Sequence, residues 1–328
     1  MNKLNLIPTA KLSEAEWQKL RLTFVRTGMV GGSDAGTLLG INQYKSPINL
    51  FYQALGIGEL PSIMNAAMLH GKQLEDYVAE CWQYYDGTDE GWVENTMAKK
   101  KIKTYKKLRA IVTNPKYPVL FANIDGIITK HPIYGKRQGI LEIKTISGYA
   151  ADSYEAGIPP SYLIQVQHYM LVMELPYAEI CYLKDGRQLG CVTFEANKDL
   201  QDTILEEANK FQARVIEARS AIEDIDDKEM QLGVAASYEP DADSSNAFNL
   251  FISEKHKARQ SENIMTGDDA MLEWAKQYKR YSTFLKKVEE HKQLYQNRLK
   301  QAMERENAAV MVLPEGKITW RKQFNVSL

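Results

Sequence analysis

Asp125, Glu142 and Lys144 are the residues whose types and spacing carry the clearest chemistry in this chain. They lie in Phe-Ala-Asn-Ile-Asp-Gly-Ile-Ile, residues 121–128, and Gly-Ile-Leu-Glu-Ile-Lys, residues 139–144. The two apolar runs, joined by the Pro/Gly/Lys segment 130–139, read as strands with a hairpin-type connection. Residues two apart in a strand share a face, so Glu142 and Lys144 project together while Leu141 and Ile143 enter the core on the other side. Two carboxylates with a lysine beside them suit a hard divalent cation such as Mg²⁺ or Mn²⁺ and place an ammonium to orient a water. The usual work of such a site is phosphoryl transfer.

The carboxylate-x-lysine spacing alone is cheap, because Asp226/Lys228, Glu290/Lys292 and Glu315/Lys317 repeat it. What sets Glu142 apart is its apolar strand, preceded by another that carries Asp-Gly. Asp226 lies in an acidic loop and Glu290 on a polar helix. A decorated edge strand is the other reading, and the pattern alone leaves both open.

The elements that must hold these residues follow from local signals. Ser13 with Glu16, ahead of Trp17, Leu20, Phe24 and Val25, predicts a capped helix running to Gly28. Arg26-Thr-Gly, then Gly31-Gly-Ser-Asp, predicts a glycine-rich loop entering a short helix capped by Ser33 or Asp34. Free amides there, with Arg26 nearby, would suit a phosphate, although such a turn is more often only a turn. A helix over about 64–85 places Glu75 beside its apolar face, where Gly71 leaves the space above the carboxylate open. Pro159-Pro160 starts a helix on which Gln165, His168 and Tyr169 share one side. Runs 178–183 and 189–194 form a second hairpin, and a helix over about 199–219 closes the compact part.

Residues 220–250 are acidic and loop-like and predict a linker or crossing segment, residues 220–262, between a core of residues 1–219 and an extension of residues 263–328. In the extension, Met271, Trp274, Tyr278, Tyr281, Leu285, Val288, Tyr295, Leu299 and Ala302 recur at three- and four-residue steps, a coiled-coil-like seam over about 268–306. Packing back on its own domain and pairing with another chain are both open. A terminal β-hairpin follows at 310–313 and 317–322.

The 328 residues carry a net charge of −1. That is not the profile of a simple DNA-coating protein, though the basic run Lys99 to Arg109 supplies local positive potential upstream of Asp125. A solvated strand or loop is the commoner meaning of such a run. No segment approaches transmembrane length and Met1–Leu20 lacks a signal-peptide pattern, so the expectation is a cytoplasmic protein without a membrane partner. Cys81, Cys181 and Cys191 lack metal-ligand spacing and read as buried free thiols.

Taken together, Arg26-Thr-Gly…Gly-Gly-Ser33-Asp, Gly71-Lys-Gln-Leu-Glu75, Asp125-Gly, Glu142-Ile-Lys144 and Tyr162-Leu-Ile-Gln165-Val-Gln-His-Tyr169 resemble, in order, the YqaJ-type phage and prophage recombination exonucleases. These are relatives of lambda exonuclease within the PD-(D/E)xK superfamily. The resemblance covers about residues 15–200. It implies an α/β (α+β) restriction-endonuclease-like core, a central mixed sheet flanked by helices, to which the long helix and hairpin are appended. It implies that Asp125, Glu142 and the Ile143 carbonyl hold one or two Mg²⁺ ions, with Glu75 supporting them. Lys144 would handle the attacking water, and Gln165 with Tyr169 would orient Lys144 or the scissile phosphate. Arg26 and Ser33 would hold a 5′-phosphate. At two further phosphate positions the chain departs from the family, offering Lys45 where an arginine is expected and Asn123 where a serine is. The implied activity is 5′-to-3′ resection of linear duplex DNA, leaving a 3′ strand for a RecT-like annealing recombinase in the bacterial cytoplasm. The implied assembly is a homo-oligomer, a trimer in relatives. An endonuclease or RecB-like nuclease, and a non-catalytic DNA- or recombinase-binding protein on the same fold, are the competing readings.

Overall fold

The computed structural model describes residues 4–42, 44–58, 65–148, 158–259, 264–320 and 323–327. The chain divides into two compact units, residues 1–260 and 261–328. In the first, β1 (Asn5–Pro8) precedes α1 (Glu14–Val25), whose amino end carries the Ser13/Glu16 capping box expected from the sequence. Next come β2 (Val30–Gly31), α2 (Gly32–Leu38), α3 (Pro47–Leu55), α4 (Ala66–Trp82) and α5 (Asp89–Met97). Strands β3 (Thr104–Lys107), β4 (Ala110–Thr113), β5 (Leu120–Ala122), β6 (Gly126–Lys130) and β7 (Gly139–Ile146) follow. Helix α6 (Pro160–Met173) then leads to β8 (Tyr177–Lys184), β9 (Gln188–Glu195) and α7 (Lys198–Ile222). Two more helices, α8 (Lys228–Ala235) and α9 (Asn246–Arg259), complete the unit.

Two mixed sheets result. One has the order β1-β4-β5-β2, parallel only at β2/β5, and the other β3-β6-β7-β8-β9, parallel only at β7/β8. A parallel neighbour requires a crossover, and the β7-to-β8 connection contains α6, with Pro160 in its first turn because a proline there sacrifices no helical hydrogen bond. Strand β7 is therefore central and covered on both faces, which removes the edge-strand reading of Glu142. Leu141 and Ile143 pack with Val78 and Trp82 of α4, whereas Ile140 and Ile146 join Val166 and Met170 of α6 in the main core. Glu142 has the parity of Ile140 and so faces α6.

Over residues 220–259 the structure corrects the expected linker of residues 220–262, whose last three residues lie outside the described ones. Helices α8 and α9 bury Ala235 and Phe251 in the main core, and Phe251 stacks on Tyr52 with ring centroids 5.1 Å apart. The acidic composition misled because Glu239 is consumed internally, accepting from Lys255 and from the Tyr52 hydroxyl.

The second unit contains α10 (Asp269–Arg305) and the antiparallel meander β10 (Val310–Leu313), β11 (Gly316–Trp320) and β12 (Phe324–Ser327). The third strand goes beyond the expected hairpin. Among the described residues no helix is long and apolar enough to cross a membrane.

Candidate active site

The β6/β7 register pairs Gly126 with Leu141, so one step along the ladder Asp125 stands across from Glu142. An Asp125 carboxylate oxygen accepts from the Ile143 amide at 2.8 Å, tying the turn before β6 to the strand that carries the second acid. Glu142 is 3% exposed. Its Oε1 accepts from Lys144 Nζ and, at 2.8 Å, from Gln165 Nε2. Gln165 also lies 2.9 Å from the Tyr169 hydroxyl, so α6 contributes a two-residue polar chain one helical turn long.

Oε2 of Glu142 is buried without a hydrogen-bond partner. An orphaned carboxylate oxygen in an apolar setting costs free energy unless a cation meets it. Burial pushes the Asp125 carboxyl well up, and the charges of Glu142 and Glu75 push it further. Burial likewise raises Glu142, against the opposing pull of Lys144. Lys144 is raised despite burial, because Glu142 and Asp125 favour its charged form. Both carboxyls are thus pushed toward their neutral forms in spite of Lys144, and a further cation would favour their charged forms. The donor set, buried carboxylate oxygens of which Glu142 Oε2 is unpartnered, fits a hard divalent cation held by Asp125 and Glu142.

Glu75 comes from the opposite layer. Its helix approaches β7 closely because Gly71 lies over Thr145, where a Cβ would stand 3.0 Å from the hydroxyl. Glu75 is bound by Lys107 at 2.9 Å, and Lys107 also reaches Asp76 at 2.6 Å. Its charge lies near enough to raise Asp125, while its Oε1 is engaged with Lys107. Among the described residues no group of three or more acidic, histidine or cysteine side chains converges on one point. Asp125 and Glu142 stand together across the β6/β7 ladder, and the carboxylate of Glu75 is held apart from them by Lys107.

The glycine-rich loop meets this site through Tyr169. A Cβ on Gly32 would lie 2.2 Å from Tyr169 Cε1, so only glycine permits the ring beside Gln165. The expected cap is corrected: Gly31 occupies the N-cap of α2 without a side-chain bond, Ser33 is exposed in the first turn, and Asp34 turns inward. A buried aspartate needs cations, and Arg21 and Lys45 (2.8 Å) both bind it. Burial opposes its charge, but Lys45 and Arg21 outweigh burial and hold the carboxyl below its usual range. Lys45 also donates to Gln53 at 3.0 Å. Its ammonium is thus committed internally, which speaks against the phosphate clamp expected of it. Arg26 lies against Gly56, with its guanidinium carbon 3.2 Å from where a Cβ would stand, and near enough to Arg219 to disfavour that residue's charge. Asn123 is half-buried between β5 and β6.

His168, grouped with Gln165 and Tyr169 by spacing, turns away from the site. It meets the Val30 carbonyl at 3.1 Å, and burial pulls its pKa down to about 4. Three cations of the basic run 99–109 are committed internally. Lys103 is buried against Glu179 at 3.0 Å, Lys101 pairs with Glu80, and Lys107 holds Glu75. Sequence reasoning missed Arg21 and gave Tyr162 no role, yet Lys144 Nζ lies 5.0 Å from the Tyr162 ring centroid. The only advance signal for Arg21 was Asp34 itself, which needs a partner if buried.

Residues 16–176 match the family model of the YqaJ-like viral recombinase domain. The uncharacterized protein YqaJ of Bacillus subtilis (strain 168) is 30% identical over 230 residues, covering 67% of this chain and 64% of that relative. The chain therefore spans just under two thirds of the length of the curated relative it matches. An alkaline exonuclease, LHK-Exo from Laribacter hongkongensis, is similar at 20% identity and a TM-score of 0.46, over 62% of this chain and 96% of that one. A phage-related exonuclease from Haemophilus somnus 129PT is similar at 15% identity and a TM-score of 0.36, over 58% of this chain and 95% of that one.

Proposed function

We propose, from the match of residues 16–176 to the YqaJ-like viral recombinase domain family model and the 30% identity to YqaJ, that the chain is a metal-dependent deoxyribonuclease that resects linear duplex DNA for phage-type recombination. The observation that carries the proposal is the buried Asp125/Glu142 pair, with the unpartnered Glu142 Oε2 and with Lys144 and Gln165 on its other oxygen. Asp125 and Glu142, with the Ile143 carbonyl, would hold Mg²⁺ or Mn²⁺, which supplies electrostatic stabilisation of the charge developing on the phosphate. Lys144 sits between Glu142 and the Tyr162 ring and orients the attacking water through its ammonium protons. Gln165 fixes Glu142 and is itself fixed by Tyr169. Glu75 acts from the rim, through its charge and through Lys107. No covalent enzyme intermediate is needed, because water is the nucleophile.

Polarity from 5′ to 3′, end recognition by Arg26 and Ser33, a homo-oligomeric ring and delivery of the 3′ strand to a RecT-like annealing protein belong to the same proposal. Exposure of Ser33 at the first turn of α2 supports the end-binding part, whereas Lys45 is engaged with Asp34 and Gln53. The deciding experiment compares linear 5′-phosphorylated, linear 5′-hydroxyl and closed circular duplex on a gel, with and without Mg²⁺. Metal-dependent loss of the linear forms, fastest with the phosphate, is expected. Cleavage of the circle would indicate an endonuclease instead, and metal-independent cleavage would remove the assigned chemistry.

A further inference from the structure

We propose that one face of α10 in the second unit is a contact surface for the phosphate backbone of DNA. The segment from Lys276 to Lys287 carries Lys276, Lys279, Arg280, Lys286 and Lys287 and no Asp or Glu. Lys276, Arg280, Thr283 and Lys287 follow one another at steps of four, three and four, so they form a single face, with Lys279 and Phe284 on its flanks. These six residues line one shallow groove. The face extends about 16 Å along the axis, long enough to lie beside several successive phosphates of a strand.

Three observations separate this face from an ordinary solvated helix surface. Among the described residues the only ion pair on it is Lys276 with Glu273 at 4.0 Å, and none involves Lys279, Arg280, Lys286 or Lys287. On α7 of the same chain, by contrast, Lys198 pairs with Asp202, and Lys210 with Glu206 and Glu207. The chain is −1 overall, so the cationic excess is local rather than a property of the composition. Phe284, 65% exposed, and the Thr283 hydroxyl stand among the cations, which adds a stacking ring and a neutral phosphate donor.

The seam residues Trp274, Tyr278, Tyr281 and Leu285 begin two residues away, about 200° around the helix. A lipid surface would take up that apolar side and leave the basic face pointing straight out to water, whereas a polyanion takes the basic face directly. Charge complementarity therefore commits the face to nucleic acid. The choice of DNA rests on the nuclease reading of the first unit, but the binding does not depend on cleavage.

The test is fluorescence anisotropy of the full-length protein with labelled single-stranded and duplex oligonucleotides in EDTA, over a range of salt concentrations. The triple variant Lys276→Gln/Arg280→Gln/Lys287→Gln should bind about tenfold or more weakly, and its salt dependence should flatten by roughly 2–3 in log–log slope. The charge-preserving Lys276→Arg/Lys287→Arg variant and the control Lys198→Gln/Lys210→Gln on α7 should bind like wild type. Unchanged circular dichroism would confirm that the exposed substitutions leave the helix folded. Triple-variant affinity within twofold of wild type, with an unchanged slope, would overturn the inference. So would loss of binding to phosphatidylserine vesicles with DNA binding intact, which would assign the face to lipid. Absence of Mg²⁺-dependent cleavage would sink the nuclease reading alone, because the anisotropy result stands without it.

Discussion

At Asp125 the cost of assembling the site is concentrated in one side chain. Burial and the charges of Glu142 and Glu75 raise its carboxyl well above the usual range, so the folded protein holds that charge at a disadvantage when no cation is present. A group whose folded pKa is raised weakens the fold at pH values where it must ionise, and neutralising it restores that stability. Asp125→Asn keeps an oxygen to accept from the Ile143 amide and removes the charge. Its metal-free melting temperature should therefore rise, by roughly 2–4 °C for a gain of about 1 kcal/mol, while cleavage falls by about a thousandfold or more. Calorimetry in EDTA beside a gel assay in Mg²⁺ reads both. A variant that melts lower and still cuts would show that Asp125 is an ordinary structural carboxylate. Glu142→Gln should behave in the same direction with a smaller stability gain, because Lys144 already offsets part of that charge.

Helix α6 positions the site and couples it to the glycine-rich loop, and both of its loop contacts are testable. Gly32→Ala places a methyl where the Tyr169 ring lies and should destabilise by about 1–3 kcal/mol. In Gly32→Ala/Tyr169→Leu most of that penalty should vanish in urea titrations, because neighbours that share one space are not additive. His168, on the same helix, is buried neutral with a pKa lowered from 6.5 to about 4. Between those values the unfolded chain binds a proton that the folded chain does not, so stability rises with pH and is lost as pH falls from 6.5 toward 4. The loss attributable to His168 is about 3 kcal/mol at most. Wild type should lose that much more than His168→Gln across the window, and equal slopes would remove the histidine from the account. These contacts also explain what could be read in advance. The strand parity of Glu142 and Lys144, the Ser13 cap and the Pro160 helix start are local rules, and they appear in the fold as written. Arg21 on Asp34, the inward turn of His168 and the capture of Lys103 by Glu179 depend on partners 13, 138 and 76 residues away in sequence. Spacing rules do not reach that far.

Across the whole molecule, the residues proposed for cleavage and the cores that hold them lie within residues 1–260. The acidic segment after α7 is part of that unit, since Ala235 and Phe251 are buried in its main core and Arg214 donates to the Glu239 carbonyl at 2.6 Å. Cutting the chain near residue 220, where composition alone draws the boundary, would expose the apolar surface of α3 and α7 that α8 and α9 cover. It should give an insoluble or molten product. Cutting after residue 260 follows the structural division and removes α10 and its meander as a unit. The expected outcome is a soluble, cooperatively unfolding fragment that retains Mg²⁺-dependent cleavage at saturating DNA. It should bind DNA more weakly, and with a shallower salt dependence, because the cations of α10 are gone. Single-turnover cleavage of both truncations, with light scattering for assembly state, separates the possibilities. Full activity in the shorter fragment would show that α8 and α9 are dispensable to the core. Loss of all cleavage in a well-folded longer fragment would show instead that the second unit takes part in the chemistry.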